Sequence, residues 1–389
     1  MTDLEQILPL WRELSAAGTE YVLATVVAVE GSGYRKPGAR MLIASDGRRA
    51  GTISGGCLEG DVARKAFWNT ANGAHVRRYS TRAEDGDVPY GMGCGGVILL
   101  LLERSATAGP LLQRLARSFE AREPLAVATV LEGAWAGVRS FFPPEPVGEI
   151  PEAATPLPPT DAAQLDRLAE QAFADRVSYS RRLDSGAEET PAVRVEFHEA
   201  RPGLHIFGAG DDAIPLVRQA RQLGWYVSVT DGRSHLATHA RFPEAHEAIA
   251  SGAESLSLHG ARPTDAAVVM THSLDQDRRF LGALLDRELA YIGVLGPARR
   301  TLDMLEQIAG ERGLFDEAAE AQARAWMDAL HAPIGLELGA DNSASIALEI
   351  LAEVHRELRG GSGRSLREVR RARRNESARP AAIAQNAAI

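Results

Sequence analysis

Three glycine-rich segments near the start of the chain hold the residues best suited to chemistry. Gly31-Ser32-Gly33-Tyr34-Arg35-Lys36-Pro37-Gly38 sets two adjacent cations, Arg35 and Lys36, in a loop. Gly51-Thr52-Ile53-Ser54-Gly55-Gly56-Cys57-Leu58-Glu59-Gly60 and Tyr90-Gly91-Met92-Gly93-Cys94-Gly95-Gly96 each enclose one of the chain's two cysteines. Glycine bares backbone amides and lets a bulky ligand come close. Amides and a helix start beside Cys57 favour thiolate, a soft ligand suited to a soft or sulfur-rich metal centre. Cys57 and Cys94 read equally well as small buried hydrophobes at turns, as free cysteine often is. Two cysteines with no histidine at a helpful spacing do not make a four-ligand zinc site.

A second group lies in the C-terminal half. Gly208-Ala209-Gly210-Asp211-Asp212-Ala213 follows an apolar strand and opens a helix, so it matches a dinucleotide fingerprint in its proper setting. Asp231 ends the next strand, 21 residues after Gly210, where an acid would bind a ribose 2′-hydroxyl. Against a bound pyrophosphate, Asp211 and Asp212 place negative charge at the helix mouth; alternatively they cap the helix. NAD(P) or another nucleotide is therefore one reading of this half. Gly293-Val294-Leu295-Gly296-Pro297-Ala298-Arg299-Arg300 is either a second anion-ready turn, through Gly296 and Arg299, or a plain strand-helix junction. His272, in Met270-Thr271-His272-Ser273, sits at a strand's C-terminal end and either positions a ligand or bonds a loop.

The elements that must hold these residues follow from apolar periodicity. Leu4, Ile7, Leu8, Trp11 and Leu14 mark a first helix. Strands are expected at 21–29, 40–44, 50–54, 76–79, 97–102 and 126–131, and helices at 59–67 and 111–119. Together they make a mixed α+β domain over 1–140. Seven prolines between Pro143 and Pro159 exclude regular structure there. Residues 141–200 read as a proline-rich surface connection with one short helix (162–175) and two short strands. From 201 to 359, strands at 204–207, 226–230, 266–270 and 291–294 alternate with helices at 213–223, 274–285, 298–308 and 345–358. That alternation predicts an α/β fold with a Rossmann-like, doubly wound parallel sheet. Residues 360–389, rich in Gly, Ser, Arg and Ala, are expected to be a disordered tail.

Length and composition agree with two folded domains: 389 residues, 45% hydrophobic and 24% charged. A net charge of -9 argues against a general nucleic-acid binder. The acidic N-terminus lacks a signal peptide's pattern, and no apolar run is long enough to span a bilayer, so a cytoplasmic location is expected. The arginines at 364, 367, 370, 371, 373 and 374 form either a solvated tail or a dock for an acidic partner. Oligomeric state is not legible, and a homodimer is the default.

Glu30-Gly31-Ser32, Lys36-Pro37-Gly38-Ala39-Arg40-Met41 and Gly51-Thr52-Ile53-Ser54-Gly55-Gly56-Cys57-Leu58-Glu59 resemble the XdhC/CoxI family, and Gly93-Cys94-Gly95-Gly96 resembles its second glycine-cysteine motif. Ile206-Phe207-Gly208-Ala209-Gly210, Met270-Thr271-His272, Tyr291-Ile292-Gly293 and His331-Ala332-Pro333-Ile334-Gly335-Leu336 are similar to its Rossmann partner domain. The resemblance implies a chaperone whose cargo is molybdenum cofactor (molybdopterin). It would deliver that cargo, once sulfurated, to an apo xanthine dehydrogenase-like molybdoenzyme, working with a cysteine desulfurase or another sulfur-transfer protein. It further implies Gly55, Gly56, Glu59 and Gly95 around the ligand, Cys57 and Cys94 on its molybdenum or dithiolene end, and Arg35, Lys36 and Arg299 on phosphate. Two rivals are an NAD(P)-dependent oxidoreductase and a nucleotide-sensing regulator. Against the first, no tyrosine-lysine or histidine-carboxylate pair follows the fingerprint, and the only lysines are Lys36 and Lys65.

Overall fold

The computed structural model describes residues 2–31, 34–56, 58–80, 96–144, 157–184, 190–253 and 260–377. They divide into two compact units, 1–201 and 202–389. The first holds α1 (Asp3–Ala16), β1 (Tyr21–Glu30), β2 (Arg40–Ala44), β3 (Arg49–Gly51), α2 (Glu59–Asn69), β4 (His75–Ser80), β5 (Val97–Arg104) and α3 (Ser105–Ala121). It continues with β6 (Leu125–Val130), β7 (Arg139–Phe142), α4 (Pro159–Asp175), β8 (Tyr179–Arg182) and β9 (Ala192–His198).

An antiparallel sheet of order β3-β2-β1-β5-β4 forms its centre. Tyr21 and Leu23 pack with α1 and α3, while Val22, Ala24 and Val26 face α2 on the other side. Successive side chains point to opposite faces of a strand, so a sheet buried on both faces needs an unbroken apolar run. A second sheet, β7-β6-β9-β8, repeats the arrangement. Its Leu125 and Val127 join the α1–α3 layer, and Ala126, Ala128 and Val130 pack on α4. The described part of 141–200 thus belongs to the folded unit, while residues 145–156 and 185–189 lie outside the described residues. Its helix and strands complete this second sheet, because β6 requires a partner on each edge and a cover for its apolar face.

The second unit contains β10 (Gly203–Phe207), α5 (Ala213–Gln222), β11 (Tyr226–Asp231), β12 (Glu247–Ala250), β13 (Ala266–Val269) and α6 (Leu274–Leu284). After these come β14 (Tyr291–Val294), α7 (Ala298–Glu311), α8 (Asp316–Ala329), α9 (Ser343–Arg359) and α10 (Leu366–Ser377). Its sheet is wholly parallel, in the order β12-β11-β10-β13-β14. Leu204, Ile206, Ala266 and Val268 face α5 and α9, whereas Phe207, Ala267 and Val269 face α6, α7 and α8. This is a Rossmann fold, with its switch point between β10 and β13. His331 makes a further parallel bridge to Gly293, at the outer edge of β14. Helix α10 corrects the expectation of disorder from 360 onward; residues 378–389 lie outside the described residues.

Candidate functional site

The topology of the central sheet gathers the glycine-rich loops. Glu30 pairs with Val97, and Val97 also pairs with Ser80, so β1, β4 and β5 share one end. Arg40 opens β2 opposite Thr25, and Gly51 closes β3 opposite Met41, so β2 and β3 stop short of the row that holds Glu30, Val97 and Ser80. The first two loops nevertheless meet, since a Cβ on Gly55 would stand 3.5 Å from Tyr34 Cγ. Cys57, Cys94 and Gly95 lie outside the described residues, as do Ser32 and Gly33.

Local hydrogen bonds shape the loops. Val26 N–H donates to Ala39 O (2.9 Å) and Gly38 N–H to Val26 O (2.8 Å), closing the first loop below its tip. Arg35 is paired with Asp3 in the first turn of α1. Lys36 is exposed, and its ammonium has no partner among the described residues. In the second loop Glu59, the first residue of α2, accepts from Ser54 N–H (2.9 Å), Ser54 O–H (2.5 Å) and Ile53 N–H (3.3 Å). Burial alone would raise this carboxyl, but the bonds from Ser54 and Ile53 outweigh it and hold the group below its ordinary range. Glu59 thus braces the turn from the start of α2. Gly55 and Gly56 are exposed, and Gly56 adopts φ +107°, a conformation open to glycine.

Beneath the first loop lies a charged cluster that the sequence reading missed. Arg40 and Glu196, with side chains 4% and 6% exposed, are paired at 2.7 Å. Arg40 also donates to Gly38 O at 2.9 Å. Burial would raise Glu196, but Arg40 above all, followed by Arg194 and Arg139, keeps it depressed. Burial presses His198 down to about 4, so its ring is neutral at pH 7. Arg40, Arg194, Glu196 and His198 border a cleft of about 310 Å³ with Asp3 and Pro37. In sequence, 156 residues separate Arg40 from Glu196, so no local pattern signals the pair.

In the second unit the strand ends are tied together from within. Gly208 has φ +131°, and a Cβ there would meet Met270 O at 2.4 Å, so glycine is required by the adjacent strand. Asp231 is fully buried and accepts from Ala209 N–H (2.8 Å), Arg233 N–H (2.8 Å) and the Arg233 guanidinium (2.8 and 2.9 Å). Burial would raise its pKa, but the Arg233 and Ala209 bonds prevail and lower it. Both carboxylate oxygens of Asp231 are thus occupied by Ala209 and Arg233, the partners that hold the strand end together. Arg233 also donates to Thr271 O (3.0 Å), spanning the ends of β11 and β13 across β10. Arg241 grips the loop through Ala209 O (2.6 Å) and Asp211 (2.5 Å).

Asp212 makes no capping bond to α5 and instead meets His272 Nε2 at 2.8 Å. His272 has φ +60°, a left-handed conformation uncommon outside glycine, and lies 3.6 Å from where a Cβ on Gly210 would stand. Gly296 turns at φ +126° after β14. Arg299 is 80% exposed and pairs with Asp303, while Arg300 is bound to the buried Asp277 at 2.6 Å. Arg233 and Arg241 were missed by the sequence reading, although Arg233 stands two residues from Asp231. Among the described residues no cluster of His, Cys, Asp and Glu could hold a metal ion, and no helix is long and apolar enough to cross a membrane.

Comparison with known proteins places both halves. Residues 14–80 match the XdhC and CoxI family, and residues 204–354 match the XdhC Rossmann domain. A Bacillus subtilis protein described as a probable component of xanthine dehydrogenase is 32% identical over 345 residues, covering 86% of this chain and 92% of that relative. The Escherichia coli molybdenum cofactor insertion chaperone PaoD is 34% identical over 132 residues, covering 32% of this chain and 38% of PaoD. A crystal structure described as a xanthine dehydrogenase from Bacillus halodurans superposes with a TM-score of 0.68 at 29% identity, covering 94% of this chain and 98% of that one.

Proposed function

The chain belongs to the XdhC and CoxI family, and from that premise we propose that it carries molybdenum cofactor to an apoenzyme of the xanthine dehydrogenase type. The observation that carries this reading is the meeting of the first two glycine-rich loops, where Gly55 lies against the Tyr34 ring. The loop with bare glycine backbone at 55 and 56 leaves β3, and the loop with the exposed Lys36 enters the neighbouring β2. Such a surface suits a ligand that is bulky, anionic and bound without turnover. The name of PaoD supports the cargo, and the Bacillus relative's name supports the client.

In this proposal Lys36 neutralises the cargo's phosphate, with Arg35 holding the loop to α1. Cys57 and Cys94 contact its molybdenum or dithiolene end as thiolates. Sulfuration of the bound cargo calls for a sulfur-transfer partner such as a cysteine desulfurase, and a cytoplasmic homodimer is the expected working form. The rival oxidoreductase reading is weakened by Asp231, whose hydrogen-bonding capacity is spent on Ala209 and Arg233.

The test is anaerobic binding of freshly released molybdenum cofactor to the intact chain, to Cys57→Ala and to Cys94→Ala, beside NADH and NADPH. Saturable cofactor binding, weakened by either substitution, is expected. Tight NAD(P)H binding with no affinity for the cofactor would overturn the proposal.

A further inference from the structure

Tyr34 is 75% exposed, equal to Trp68 and the largest exposure of an aromatic ring among the described residues. A solitary exposed tyrosine needs no explanation in itself. What distinguishes this one is how its ring is held. A Cβ built on Gly55 would stand 3.5 Å from Tyr34 Cγ, 3.6 Å from Cδ1 and 3.7 Å from Cδ2. Those near-equal distances put Gly55 over the flat of the ring. A point beyond the ring's edge, at the same distance from Cγ, would be distinctly farther from at least one Cδ atom. One face of Tyr34 therefore lies on the second glycine-rich loop, and its high exposure leaves the other face uncovered.

A rigid aromatic face with glycine behind it accepts a flat heterocycle, because every such ring offers a π-surface for offset stacking. The chemistry beside it narrows the class. Lys36, two residues on, is an exposed ammonium with no partner among the described residues, so the ligand should carry an anionic group. Gly55 and Gly56 project no side chain into the approach and expose their backbone.

We propose that Tyr34 is a stacking platform for the flat pyrimidinone ring of a phosphate-bearing pterin, with Lys36 taking the phosphate. This deepens the cofactor reading above and rests on it. Tyr34 and Gly55 together set the orientation of the cargo: pterin on the ring, phosphate toward the first loop. Tyr34 is a binding residue and takes no part in any bond-making step.

The experiment uses the intact chain with two probes, anaerobic molybdenum cofactor and pterin-6-carboxylate, a fluorescent anionic pterin without dithiolene or metal. Variants are Tyr34→Ala, Tyr34→Trp and Lys36→Ala, each checked for an unchanged melting temperature. Wild type should quench the pterin's fluorescence. Tyr34→Ala should weaken both probes on the order of tenfold, the loss of one stacked ring, while Tyr34→Trp retains them. Lys36→Ala should weaken both and flatten the salt dependence. If wild type binds the cofactor and Tyr34→Ala binds it equally well, the platform is overturned and the cofactor reading stands. If the pterin binds in a Tyr34-dependent way and the cofactor does not bind, the platform survives and the cargo assignment falls. Binding of neither probe overturns both. Loss of apoenzyme capture alone in Tyr34→Ala would reassign the ring to a protein contact and overturn the platform.

Discussion

Replacing Glu196 by alanine should destabilise the first unit far more than an ordinary ion pair would suggest. At an N–O separation of 2.7 Å and an effective dielectric near 20, the attraction to Arg40 is about 6 kcal/mol. Desolvation of both groups offsets part of it, so the pair adds little net stability compared with apolar residues of the same shape. Removing one partner is different. Arg40, with its side chain 4% exposed, would keep its desolvation cost and lose its counter-charge, beside a second arginine at 194. A loss of about 3–5 kcal/mol is expected for Glu196→Ala, a large fraction of the ~5–15 kcal/mol that holds a typical protein folded. Hydrogen exchange along the 21–44 ladder in increasing urea would read it, with peptides from 204–231 as the internal control. Arg40→Met/Glu196→Leu should recover stability to within about 1 kcal/mol of wild type, because neither charge is left buried alone. A loss below about 1 kcal/mol for Glu196→Ala, or a double variant as unstable as the single, would refute the reasoning. Since Arg40 also anchors Gly38 O, the single variant should weaken cofactor binding as well.

Asp231→Asn should cost about 1.5–3 kcal/mol by weakening charge-assisted bonds from Arg233 and Ala209. Its native pKa lies below the ordinary carboxylate value, so this contribution is complete above the unfolded pKa and vanishes as pH falls through the native one. The gap in melting temperature between variant and wild type should hold from pH 8 to about 5 and close only in stronger acid. His198, lowered to about 4, works in the same direction for a different reason. The unfolded chain takes up a proton that the native ring refuses, so stability should decline from pH 6.5 toward 4, with a shallower slope in His198→Gln. An NMR titration in which His198 shifts near pH 6.5 would contradict this. Gly208→Ala adds a Cβ 2.4 Å from Met270 O at φ +131° and should cost more than about 2 kcal/mol, whereas alanine at Gly252, where the space is open, should be tolerated in the same thermal melts.

Much of the architecture is legible in the chain because its cause is local. The apolar run 21–30 and the strand-helix alternation after 203 each bury faces whose period is written in neighbouring residues, and the structure builds strands and helices there. Glycine-rich turns could be located for the same reason, and Gly55 and Gly56 are exposed in theirs. The second sheet was not legible, since β6 and β9 stand more than sixty residues apart and neither shows by composition that it needs the other. Helix α10 was hidden by an arginine-rich composition that resembles a solvated tail.

The division is sharpest at single residues. Sequence placed Asp231 at the end of a strand, but only the folded sheet decided that Arg233 and Ala209 would consume its carboxylate. Sequence put Arg40 after a glycine loop, but only the meeting of two sheets supplied Glu196 as its counter-charge. Spacing along the chain determines which backbone turns and apolar faces can form, because those depend on near neighbours. Which polar atoms remain available to a ligand depends on partners that distant segments bring in, and that is settled by tertiary structure.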